Sequence, residues 1–124
     1  MVPTLQPGDE VTIRRVSDIE GLRLGEIVCL RSPKDGKLVL HRLLKLGDDG
    51  TVKTAGDGKP RPDPAVVQRY VLGIMVSAKR QRNSEVLKPR HPWLAYGIMR
   101  LPHIRLRRMC WKLFDGLLWK RVNS

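Results

Sequence analysis

The sequence predicts a mainly β fold: a twisted, partly closed antiparallel sheet followed by amphipathic C-terminal helices. Three observations predict it. Between Glu10 and about Ala78, β-branched and leucine-rich runs alternate with Gly, Pro and Asp at the short intervals typical of all-β domains. Two of the breaks carry hairpin chemistry. With 124 residues and 41% apolar content, the chain supports one compact domain with an ordinary core rather than two.

The expected strands are Glu10–Val16, Glu26–Arg31, Lys37–Leu46, Thr51–Ala55 and Tyr70–Ser77. Ser32-Pro33-Lys34-Asp35-Gly36 supplies the turn between the second and third, because Pro pre-sets the entry dihedral and Gly accepts a positive φ. Gly47-Asp48-Asp49-Gly50 does the same between the third and fourth. The third strand mixes alternation with a continuous run, Leu38-Val39-Leu40, and is therefore expected to be central and covered on both faces. Gly56 to Pro64 cannot continue a sheet, since its three prolines lack ladder donors; it reads as a loop that carries Asp57 and Asp63.

The charge is uneven. Of a formal +12, residues 1–78 hold 12 basic and 10 acidic side chains, whereas 79–124 hold 12 basic and 2 acidic. This divides the chain into a near-neutral β domain over 1–78, a linker over 79–92 and a basic helical tail over 93–124, with helices expected at Trp93–Met99 and His103–Arg121. In the second helix Leu106, Cys110, Leu113 and Leu117 form an apolar stripe, broadened by Met109, Phe114 and Leu118. Trp93, Trp111 and Trp119 suit a water–lipid boundary, and Arg105, Arg107, Arg108 and Lys112 suit anionic headgroups. Two readings of this tail stand side by side: contact with an anionic membrane surface, or packing of the stripe on the chain's own domain or a partner. Nucleic acid is the disfavoured partner, because no helix-turn-helix segment precedes the β domain.

The sequence also excludes several classes. Cys29 and Cys110 fit no metal spacing and are too few for a disulfide scaffold, so Cys29 is expected as a reduced, buried thiol. His91 and His103 share no ligand spacing with other residues and read as surface groups. No run of 18 apolar residues occurs, and the N-terminus does not have the form of an intact secretory signal.

Six short blocks occur in a fixed order: Met1-Val2-Pro3-Thr4-Leu5, Gly8-Asp9, Gly25-Glu26-Ile27-Val28, His41-Arg42, Gly56-Asp57 with Asp63, and Val71-Leu72-Gly73. In this order and approximate spacing the chain resembles the type I signal peptidase family over about residues 1–78. His41 stands at the family's general-base position, which places the resemblance in the histidine-using branch of endoplasmic-reticulum, archaeal and sporulation-type enzymes. Imidazole suits the task, because its pKa of about 6.5 allows it to take a serine's proton near neutral pH without strong desolvation. The resemblance implies that Asp63, six residues beyond Asp57, orients His41, and that Asp57 is supporting. It implies that Pro3, Thr4 and Leu5 line the groove in which a peptide lies as an added strand.

The family's nucleophilic serine immediately precedes the residue that is Met1 here. Two explanations are open: an upstream extension that supplies the serine and a membrane anchor, or a product without a nucleophile. The sequence expectation is therefore a serine endopeptidase that removes leader or signal peptides from preproteins at a membrane surface, with no metal and no organic cofactor. The alternative is an inactive peptide-binding or scaffold module, and a cytoplasmic location is the alternative to a membrane-associated one. Read alone, His41 would be a polar residue on a strand face, and both aspartates would be solvated turn residues.

Overall fold

The computed structural model describes residues 8–16, 21–59, 61–81 and 84–123. Pro3, Thr4 and Leu5, named above as groove residues, lie outside the described residues, as does Met1. Within the described residues the fold is mainly β, as the sequence predicts. The described residues form eight strands: β1 Glu10–Arg15, β2 Ile27–Arg31, β3 Leu38–Leu46, β4 Thr51–Ala55, β5 Val66–Val67, β6 Val71–Lys79, β7 Glu85–Pro89 and β8 Trp119–Asn123. Helices α1 Pro92–Met99, α2 Ile104–Leu113 and α3 Asp115–Leu118 lie between the last two strands.

All pairings are antiparallel, and the strand order is β5-β4-β3-β2-β6-β7-β8. β1 pairs with β6 outside this path, along Gly73 to Lys79. Since a strand has two edges, β2 and β7 divide the other edge of β6 between them, β2 at Val71 to Ile74 and β7 at Ala78 and Lys79. The sheet is open: its path ends at β5 and β8, so the partial closure expected from sequence gives way to a sheet that branches at β6.

The turns form for the reasons their residues give. Gly36 and Gly50 take positive φ at the two hairpins, and Asp49 Oδ1 accepts from the Thr51 backbone N–H at 3.2 Å. Gly25, at φ 91°, is demanded twice over. A Cβ there would also lie 1.8 Å from the carbonyl oxygen of Pro92, so only glycine lets the entry to β2 pass the start of α1.

Alternation along the strands divides the core into two layers. Ile27, Ala55, Met75 and Ala78 face the helices, where they pack with Ala95, Ile98, Met99, Trp111 and Leu118. Val28, Leu30, Leu43, Val52 and Ile74 point the other way and form a second cluster with Leu22. β3 contributes to both, Leu40 and Leu44 to the first and Val39, Leu43 and Leu46 to the second, which is the two-sided cover its apolar run predicts.

The C-terminal third departs from expectation. Residues 85–89, read as part of a linker, form β7, which pairs with β6 and β8. The second helix stops at Leu113 instead of running to Arg121: after Phe114 only the short α3 follows, and from Trp119 the chain is extended and pairs with β7. The basic segment is thereby built into the sheet and its helix-side core. The face that α2 buries also differs from the expected stripe. Arg107 and Trp111 are its buried residues, whereas Met109 and Leu113 on α2 and Leu117 on α3 are exposed.

Candidate active site

His41 lies in the middle of β3, opposite Val28 of β2, and shares a face with Leu43 and the second core cluster. On its other side β4 pairs Ala55 with Arg42, so Gly56, one residue on, falls opposite His41. A Cβ on Gly56 would be in ordinary contact with His41 Nε2 at 3.5 Å and with Cγ and Cδ of Lys59 at 3.4 Å, so Gly56 and the Lys59 stem border that nitrogen. The loop then returns along the outer edge of β4, where the Asp63 N–H donates to the Thr54 carbonyl at 2.8 Å. This anchor brings the Asp63 carboxylate back to β3. Its Oδ2 contacts His41 Nδ1, and the two side chains retain 13% (His41) and 32% (Asp63) exposure. Among the described residues Asp63 makes the only ion pair of the imidazole.

Arg42 points to the opposite face and serves a different purpose. Its Nε and Nη2 donate to Asp57 Oδ1 and Oδ2 at 2.9 and 2.8 Å, its Nη1 donates to the Gly25 carbonyl at 2.7 Å, and the guanidinium lies 5.0 Å from the Trp111 ring centroid. Asp57 is fully buried and Arg42 is nearly so. A charge in such a place is tolerable only when paired and hydrogen-bonded, as this fork is. Asp57 therefore holds the first part of the loop to the sheet, whereas Asp63 meets the imidazole. The structure thus places Asp63 beside His41 and Asp57 beside Arg42.

α2 adds a second clamp that sequence reasoning missed. Arg107 Nη1 donates to the carbonyl of Lys59 in the middle of the loop at 3.0 Å. Arg107 and Trp111 are one helical turn apart and so lie on one face, which grips the loop through Lys59 and through Arg42. That spacing was the available signal. Arg107, Trp111 and Trp119 were expected at an outer membrane or partner surface; each is 5% exposed, and each is instead part of the interior. Trp93, Arg105, Arg108 and Lys112 are exposed.

Electrostatically the site favours a neutral imidazole. Burial lowers the His41 pKa below its ordinary value, and the adjacent Asp63 carboxylate opposes this only in part. A neutral ring protonated on Nδ1, the nitrogen in contact with Asp63, carries its lone pair on Nε2, beside Gly56. Such a ring can accept a proton from a hydroxyl or a water, and the carboxylate stabilises the imidazolium that results. Cys29 is buried and its thiol pKa is raised by burial, so it is not an activated nucleophile. Among the described residues no group of three or more His, Cys, Asp and Glu side chains could hold a metal ion. No helix among them is long and apolar enough to cross a membrane.

Comparison with protein-family models, with curated proteins and with solved structures found no match to this chain.

Proposed function

We propose that the chain is the base-bearing catalytic domain of a serine endopeptidase of the signal peptidase type, which cleaves leader or signal peptides at a membrane surface. The observation that carries the proposal is the contact between His41 Nδ1 and the Asp63 carboxylate. In this reading a serine placed immediately before Met1 attacks the scissile carbonyl while Nε2 takes its proton. The imidazolium returns that proton to the leaving amine, and water then hydrolyses the acyl-enzyme by the same route. Asp63 holds the ring in the required tautomer throughout. Arg42, Asp57 and Arg107 act by holding the loop.

The test is a chain extended by Ser before Met1 and assayed against a leader peptide with small residues ahead of the cut. Cleavage is expected, with loss of at least about a hundredfold on His41→Ala, the usual scale of general-base catalysis. A folded Ser-extended chain that leaves the peptide intact, or cleavage indifferent to His41, refutes the proposal. The first of these outcomes would leave a peptide-binding or scaffold module.

A further inference from the structure

We infer that the outward face of α2 and α3 is a docking surface for an anionic lipid bilayer. The inference stands on the surface of these helices and is independent of the proteolytic reading.

With Arg107 and Trp111 turned inward, the helix presents a two-part outer face. Met109, Leu113 and Leu117 follow one another at four-residue spacing and are 52%, 71% and 49% exposed. At about 100° per residue, Arg105, Arg108 and Lys112 fall on the adjoining strip of the same exposed side. All three are exposed. An apolar row beside a basic row is the arrangement of a helix that lies in the plane of a membrane interface, its apolar edge among the acyl chains and its cations at the headgroups.

The charge balance points to an anionic partner. Only Glu85 and Asp115 are acidic in residues 79–124, and both ion-pair with Arg121. Among the described residues no carboxylate pairs with Arg105, Arg108 or Lys112. Three neighbouring cations without a counter-charge attract an anionic surface within about a Debye length. A nucleic acid would satisfy the cations alone; the exposed leucines and methionine beside them are satisfied only by a partner that also offers hydrocarbon. A bilayer containing anionic lipid offers both.

The experiment is co-sedimentation of the full chain with vesicles of phosphatidylcholine, with and without phosphatidylglycerol, at graded salt. Binding is expected only to the vesicles with phosphatidylglycerol, and it should weaken as salt rises. Replacing Arg105, Arg108 and Lys112 by Gln should lower the partition coefficient about a hundredfold, at about fivefold per cation. Replacing Met109, Leu113 and Leu117 by Ser should lower it about tenfold or more. Because all six side chains are exposed, both variants should keep the parent melting temperature, which confirms that the fold is intact. Equal binding to both vesicle types, no binding to either, or binding unchanged in the two variants overturns the inference. So does salt-sensitive binding to duplex DNA without vesicle binding, or a dimer in sedimentation equilibrium that the Ser variant dissociates. The readout contains no peptide, so its failure is separate from failure of the cleavage assay.

Discussion

Asp57→Ala should be among the most damaging single substitutions in this protein. The carboxylate is fully buried and accepts both arms of the Arg42 fork, at 2.9 and 2.8 Å. Removing it leaves a guanidinium inside the protein with the Gly25 carbonyl and the Trp111 face as its remaining partners there. An orphaned buried charge of this kind costs about 3–5 kcal/mol, against about 0.2–1 kcal/mol for an exposed ion pair. For a chain of this length the loss corresponds to a fall of about 10–20 °C in melting temperature. The assay is urea unfolding of the parent, Asp57→Ala, Arg42→Met and the double variant. The double variant should be more stable than either single one, because the orphaned charge is gone, and the cycle should return a coupling of about 2 kcal/mol or more. A loss below about 1 kcal/mol in Asp57→Ala would refute the reasoning, since it would mean that Arg42 reaches water and the pair is no clamp.

Three further outcomes follow from the site. The His41 pKa is lowered in the fold, so the unfolded chain binds more protons in the window between the folded value and the unfolded value near 6.5; stability should be fully present above that unfolded value and should decline as pH falls through the window, in urea midpoints measured across it, with the slope abolished in His41→Gln. Asp63→Asn removes the charge that opposes the burial effect, so the imidazole should titrate at still lower pH by NMR; an unchanged titration would show that the two groups do not meet in solution. Arg107→Met keeps the aliphatic stem but removes the donor to the Lys59 carbonyl, which should cost about 1.5–3 kcal/mol in urea unfolding. It should also increase amide exchange in residues 56–63, whereas unchanged exchange there would show that α2 does not restrain the loop.

Much of the sheet is legible without coordinates. β1 to β4 and β6 lie within two residues of the runs that predict them, because their information is local: alternation or an apolar run, ended by Gly, Pro or Asp with the conformations a hairpin needs. The loop from Gly56 to Pro64 is equally local, since prolines forbid its continuing β4. The pairing of Asp63 with His41 was expected only from the family resemblance; nothing in the composition of either segment brings them together.

What the residues determined by themselves was the element type wherever backbone propensity and side-chain period agree, and the asymmetry of charge between the two halves. Only the tertiary structure decided which segments complete the sheet. β7 and β8 look like a linker and a helix end; β7 becomes a strand between β6 and β8, and β8 becomes one because β7 supplies its hydrogen bonds across thirty or more residues of sequence, from Glu85 opposite Asn123 to Pro89 opposite Trp119. The same holds for α2. A hydropathy stripe ranks Arg107 as a surface residue, yet a carbonyl of a distant loop and a buried Trp on the same face bring it inside. Burial of a polar group is decided by whether a partner is present in space, and that is a property of the assembled fold rather than of any window of sequence.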